Sequence, residues 1–244
     1  MPKKRLSPVR PPPVDRPKNR LLAALPDEDF QRVRPHLTTV PLTVKHTLLK
    51  RRAPIRYVYF PNGGVCSVTA MMKNGNAVEV ATVGDEGMIG IAAFFGGLAM
   101  PGESMVQVPD RDAERMPIDA FHREMDQRGA LYDAVNRYSQ ATMALMMQST
   151  ACMALHGVQE RCCRWLLMTH DRVKTDQFTL SHEFLAMMLG STRPTVTVVA
   201  RHLQQAGVIR YTHAKIAILN RKRLEAMSCE CYATVKAEFD RLGL

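Results

Sequence analysis

The stretch HEFLAMMLGSTRPTVTVVARHLQQAGVIRY, residues 182–211, decides the fold. Phe184, Leu185, Met188 and Leu189 recur at the three-and-four spacing of one helix face, and Ser181 ahead of them offers a capping hydroxyl. Gly190-Ser191 ends that helix early, at a corner whose dihedrals glycine adopts most cheaply. A second helix follows, with Thr192 as its cap and Pro194 in its first turn, where a missing amide donor does no harm.

The second helix has an apolar stripe of Val196, Val199, Ala200 and Leu203. The opposite side carries Arg193, Pro194, Thr197, Val198 and Arg201. A short helix with arginine and threonine at an outward N-terminal end can enter a major groove and offer guanidinium to guanine O6 and N7. Gln205-Ala206-Gly207 closes it, and VIRYTHAKIAIL (208–219) then reads as two short strands joined by a turn at Thr212 to Ala214. Two adjacent amphipathic helices are more often plain core. Here a short first helix, a Gly-Ser corner, a polar outward end and a β-wing occur together, which predicts a winged helix-turn-helix.

Charge supports the same reading. The net charge is +10, and residues 172–223 hold nine Lys/Arg against Asp176 and Glu183. This basic island follows a nearly neutral stretch, as expected of a segment that displaces counterions from phosphate. The six cysteines (66, 152, 162, 163, 229 and 231) form no CxxC pair, and the N-terminus lacks the apolar segment of a secretory signal. Free thiols in a reducing cytoplasm, and no membrane association, are expected.

Taken in order, residues 1–20 combine six prolines with basic side chains and are expected to form a disordered basic tail. Asn19 to Leu25 starts a short helix, and Pro26 to Val33 gives another. From Leu37 to about Ile118, short β runs such as YVYF, GVCSVTAM, AVEVATV and ESMVQV alternate with Gly- and Asn-rich turns. That pattern predicts a β-roll or jelly roll, interrupted by the loop Gly84 to Gly90. Residues 130–168 read as long helix, with Leu131, Val135, Tyr138, Thr142, Leu145, Met146 and Ser149 as a stripe expected to serve dimerisation, the alternative being that it packs only on its own barrel. Gly157 breaks it before VQERCCRWLLMTHDRV, and Arg223 to Leu244 reads as one last amphipathic helix. The expected fold class is α+β. Its units are the tail (1–20), a β-roll effector domain (21–128), a dimerisation helix (129–157) and a winged helix-turn-helix domain (158–244).

This order of parts resembles the cyclic-AMP receptor protein/FNR (Crp/Fnr) family of bacterial transcription regulators, over roughly residues 20–244. The stretches that carry it are Leu21–Leu25, IRYVYFPNGGVCSV, GDEGMIG, VQERCCRWLL and, most specifically, the helix-turn-helix. The resemblance implies a homodimer on a pseudo-palindromic duplex, with half-sites about 34 Å apart. It places Arg193 where the family has its principal base-reading arginine. Pro194 and Val198 fall where the cyclic-AMP branch has a glutamate and a second arginine, so the target sequence is expected to differ. Ser181, Thr192 and Thr195 match phosphate-gripping hydroxyls, and His182 a basic phosphate contact. Thr197 and Arg201 extend that face, with Lys215 in the wing.

The effector side departs from the family pattern. The aligned pocket is Glu86, Met88, Ile89, Gly90, Ile91, Glu103 and Ser104. Ile91 stands at the ribose-binding glutamate, and Glu103-Ser104 at the Arg-Ser pair that holds the cyclic phosphate. Exchanging a cation for an anion at ~4 Å turns about 1–4 kcal/mol of attraction into repulsion, so cyclic AMP is disfavoured. An iron–sulfur cluster is disfavoured as well, because residues 1–65 contain no cysteine. Cys152 and His156 stand one helical turn apart, but no second pair is evident in the sequence, so no metal is expected. Cys162 and Cys163 project about 100° apart and read as structural thiols. The span from Thr47 to Phe121 lacks histidine, which removes the ligands of a metal-dependent β-roll enzyme. The chain is therefore read as a non-enzymatic regulator that binds double-stranded DNA as a homodimer, gated by an effector other than cyclic AMP. RNA polymerase is a candidate further partner. The alternatives are a regulator controlled by abundance alone, and a ligand- or redox-sensing module whose winged domain makes protein contacts.

Overall fold

A computed structural model describes residues 16–244. Most of the expected tail, residues 1–15, lies outside the described residues, and its last residues are not tail-like. Asn19 is fully buried: its side-chain Oδ1 accepts from the Leu21 and Leu22 amides, and its Nδ2 donates to Pro61 O (2.9 Å) and Gly87 O (2.8 Å). A side chain with all its polar atoms paired anchors the chain entry, so the ordered fold begins before residue 20.

Two short helices follow, α1 (Arg20–Ala23) and α2 (Asp27–Val33). The β-roll has seven strands: β1 (Thr38–Pro41), β2 (Thr47–Leu49), β3 (Tyr57–Pro61), β4 (Val65–Met71), β5 (Ala77–Val83), β6 (Glu103–Val108) and β7 (Asp112–Pro117). They form two antiparallel sheets, ordered β1-β7-β3 and β2-β6-β4-β5. Strand alternation sorts the faces: Val58 and Phe60 are fully buried, while Tyr57 and Tyr59 are half-exposed. Between β5 and β6 runs the loop from Gly84, ending in a short 3-10 turn over Ile91–Phe95.

Three helices lead on: α3 (Ile118–Asp126), α4 (Ala130–Leu155) and α5 (Val158–Val173). The stripe read as a dimer seam turns inward. Leu131, Val135, Tyr138, Thr142 and Leu145 are buried within their own chain, and Tyr138 Oη donates to Met88 O across to the loop. A hydrophobic stripe reports that a face is covered, not by which chain. The unpartnered side of α4 instead presents Met143 and Met147, which are 58% and 69% exposed. Extended backbone at His156 and Gly157 ends α4, and the Gly157 amide donates to Glu160 Oε2 (2.9 Å) to open α5.

The C-terminal unit is β8 (Gln177–Thr179), α6 (His182–Met188), α7 (Arg193–Gln205), β9 (Ile209–Thr212), β10 (Lys215–Ile218), α8 (Arg221–Ala226) and α9 (Cys231–Arg241). The wing is a three-stranded sheet ordered β8-β10-β9, one strand more than the sequence suggested. The last segment is two helices rather than one. Asn220 caps α8, accepting from the Arg223 amide (2.9 Å), and the helix is interrupted between Ala226 and Cys231. Among the described residues, no helix is long and apolar enough to cross a membrane.

Candidate nucleic-acid interface and effector cavity

The helix-turn-helix forms as its caps dictate. Ser181 Oγ accepts from the Phe184 amide (3.1 Å), and Thr192 Oγ1 accepts from the Thr195 amide (3.4 Å). Gly190 takes a φ of +56° at the corner, a region where other residues are strained. Val196, Val199, Ala200 and Leu203 are all buried, so one side of α7 is fixed as its underside. Arg193, Pro194, Thr195, Val198 and Arg201 are exposed on the other, with Ser181, Thr192 and Lys215 also at the surface.

Two of the residues read onto this face have another task. Thr197 is half-buried; its hydroxyl donates to Arg193 O (2.9 Å) and lies 3.0 Å from His182 Nδ1. The His182 ring stacks on Tyr211 at 4.1 Å, and its Nε2 is buried without a hydrogen-bond partner. Burial, and then the Arg193 charge, push the His182 pKa below 6.5. The imidazole is therefore neutral near pH 7, and it joins α6, α7 and the wing instead of supplying a cation. At the wing tip His213 and Ala214 have φ of +49° and +62°, which a two-residue hairpin turn requires.

In the β-roll a cavity of about 780 Å³ opens between β4, β5, the 84–92 loop and the inner face of α4. Its lining is mostly apolar. Met88, Gly90, Ile91 and Ser104 line it, as the alignment placed them; Glu86, Ile89 and Glu103 do not. Ile89 is held against β3 by backbone bonds with Tyr59 and is itself buried. Glu103 precedes Ser104 on β6, so alternation turns it to the opposite face, where Oε1 accepts from Thr47 Oγ1 (3.3 Å). The expected repulsion of a phosphate by Glu103 therefore does not act inside the cavity. Arg51 and Arg52 are the basic side chains along the wall, and Glu79 is its acidic one.

Glu79 is the residue that sequence reasoning missed. Its carboxylate accepts from Ser67 Oγ and from Trp165 Nε1 (2.9 Å), the latter on α5. Burial raises its pKa to about 7, against the lowering by those two hydrogen bonds and by Arg164 and Arg172. The available signal was a lone carboxylate within the apolar run AVEVATV.

The same wall meets the helix-turn-helix unit. A Cβ on Gly190 would sit 2.8 Å from Met153 Cε and 3.2 Å from Val78 Cγ2, and both residues line the cavity. Glu86 Oε1, buried at the adjoining loop, accepts from Arg172 Nε (3.0 Å) and Nη2 (2.7 Å) of α5. Lys174 pairs with Asp85 beside it, and Arg161 Nη1 donates to Leu189 O (2.9 Å). Glu86, expected as a pocket residue, is thus half of a buried ion pair between units. Cavity and helix-turn-helix share one structural wall.

The six cysteines form no disulfide. Burial pushes Cys66 and Cys163 up to about 12 and raises Cys162 as well, so these thiols are protonated and unreactive near neutrality. The expectation that Cys152 and His156 lack companions does not hold. The turn between α8 and α9 brings Cys229 and Cys231 to them, with ligand atoms all within 4.8 Å of one another.

Residues 160–227 match the family model described as the Crp-like helix-turn-helix domain. A solved structure described as a transcriptional regulator of the Crp/Fnr family, from Eubacterium rectale, superposes with a TM-score of 0.68 at 17% identity. It covers 86% of this chain and 98% of that one. FixK2 from Bradyrhizobium japonicum gives 0.66 at 15% identity, over 79% and 98%. The c-di-GMP-responsive global regulator CLP of Xanthomonas campestris gives 0.66 at 12% identity, over 80% and 100%. Similarity at this level of identity establishes the shared fold. No curated protein matches the chain in sequence.

Proposed function

Starting from a chain that carries a Crp-like helix-turn-helix domain within the Crp/Fnr fold, we propose a non-enzymatic, sequence-specific DNA-binding regulator of transcription. The observation that carries this reading is the outward end of α7. Arg193, Pro194, Thr195, Val198 and Arg201 project from a helix whose other side is sealed, within the basic stretch 172–223. Arg193 reads base edges, while Ser181, Thr192, Thr195, Arg201 and Lys215 meet phosphate or sugar. Thr197 and His182 hold the presenting helix in place.

The regulator acts as a homodimer through the outer face of α4. Gln140, Ala144, Met147, Ala151 and Ala154 follow one another there at three- and four-residue spacing, with exposed Met143 alongside. An effector with a hydrophobic body fits the apolar cavity, and Arg51 and Arg52 in its lining favour an anionic group on it. Such a ligand, bearing on Val78, Glu79 and Met153, changes the pose of the DNA-binding unit to the extent that it prefers one pose over another.

The test is selection of a duplex from a random pool by the purified full-length protein, followed by affinity measured against salt. The expected outcome is a two-fold-related site whose affinity falls steeply as salt rises. Binding that ignores salt, or recovery of no consensus, rejects the reading and leaves the winged unit as a protein-contact module.

A further inference from the structure

Two distant stretches of chain meet at the hinge between α4 and α5. Cys152 and His156 stand one turn apart at the C-terminal end of α4, and Cys229 and Cys231 flank the start of α9. Cys152 Sγ lies 3.6 Å from Cys229 Sγ, and Cys231 Sγ lies 3.5 Å from His156 Nδ1. A tetrahedral zinc ion with its ordinary bonds of about 2.3 Å to sulfur and about 2.0–2.1 Å to nitrogen sets its ligands about 3.8 Å apart (S to S) and about 3.6 Å apart (S to N). Those two pairs are already close to that spacing, and all four ligand atoms lie within 4.8 Å of one another. A disulfide between Cys152 and Cys229 would instead need about 2.05 Å between sulfurs.

The surroundings have the character of an outer ligand shell. His156 Nε2 sits 3.2 Å from Glu230 Oε2, which orients the ring and leaves Nδ1 to face the sulfurs. Gln148 Nε2 lies 3.0 Å from Cys231 Sγ as a donor to it. The three thiols are buried, at 0%, 6% and 0% exposure for Cys152, Cys229 and Cys231, and they form a cluster separate from the main apolar core. Cysteine acting as a small hydrophobe explains burial. It does not explain an imidazole nitrogen and an amide donor both aimed at sulfur.

We propose that Cys152, His156, Cys229 and Cys231 bind one zinc ion. Soft thiolates with one imidazole select zinc over harder cations, and four protein ligands leave no open position, so the site is structural. On binding, the thiols lose their protons to solvent as the Zn–S bonds form, with no change of oxidation state. The ion closes the last helix onto the end of the long one, beside the break at His156-Gly157 that sets the angle of the DNA-binding unit.

The test is elemental analysis of the full-length protein, purified untagged and without chelator under reducing conditions. About one equivalent of zinc per chain is expected, released when an organomercurial titrates the thiols. Cys229→Ser and Cys231→Ser should each lose the metal. His156→Cys, which restores four ligands, should keep it where His156→Ala does not. If a serine variant fails to fold, the wild-type stoichiometry and its mercurial release still decide the matter. Only trace zinc in the wild type with no uptake on dialysis against zinc, iron in its place, full zinc retention in both serine variants, or a Cys152–Cys229 disulfide in freshly lysed cells would each overturn the assignment.

Discussion

The outward end of α7 and the wall between the β-roll and α5 are built from opposite materials. The first is local: a cap at Thr192, a proline in the first turn, a buried stripe and an exposed face, all within residues 192–205. The second is assembled from residues far apart in sequence, Glu79 with Trp165 and Glu86 with Arg172. Removing a side chain from the first should change what the molecule binds. Removing one from the second should change whether, and in which pose, it holds together.

The sharpest separation comes from Arg172→Ala. Both partners of the Glu86–Arg172 pair are under 10% exposed, and deleting the guanidinium strands a carboxylate that also accepts from the Gly84 amide (3.1 Å). A loss of about 3–5 kcal/mol in urea unfolding is expected. The double variant Glu86→Gln with Arg172→Met should recover much of it, since no buried charge then remains unpaired. A single variant within experimental error of wild type would mean that the two units do not share this contact in solution.

Arg193→Ala tests the other side. Its guanidinium is exposed and holds up no core, so stability should not move. Affinity should fall by about 1–3 kcal/mol, confined to one base position in each half-site. Uniform weakening across unrelated duplexes would reassign Arg193 to phosphate.

The different legibility of the two regions has a physical origin. Helix caps, the Gly190 corner and the Val196–Leu203 stripe are set by neighbours within a few residues, so their chemistry is written consecutively. The α4 stripe was legible as a buried face, yet no periodicity says which surface buries it, and Tyr138 and Leu145 proved to pack on their own roll. Glu103 was read into the pocket because alignment fixes position along a strand, while a one-residue offset reverses the face. Glu79 and the Cys152–Cys229 approach depend on long-range closure, for which the sequence holds no nearby signal.

Glu79→Gln gives a subtler contrast, visible in its pH dependence. The carboxyl titrates at about 7 in the folded chain against 4.5 for an ordinary glutamate. Between those values the folded state keeps a proton that the unfolded state has lost, so stability falls as pH rises from 4.5 to 7 and is level above. Glutamine can accept from Trp165 and donate to Ser67 without ever ionising. The variant should therefore lose that slope and melt higher than wild type at pH 8. An unchanged slope would assign the titration to another group.

The smallest effect belongs to the wing. Ala214 holds a φ of +62° at the tip of the β9–β10 turn, where a Cβ costs roughly 1–2 kcal/mol. Glycine removes that strain but adds unfolded-chain entropy worth about 0.4–1 kcal/mol. Ala214→Gly should thus stabilise the protein by about 0.5–1 kcal/mol, raising the melting temperature by about 1–4 °C for a chain of this size. Lys215 follows immediately, so a strained tip that serves to aim it would show itself differently: the glycine variant would gain stability and lose affinity for duplex. Equal affinity with a higher melting point would make the strain a cost of the hairpin geometry alone, and would leave DNA recognition to α7.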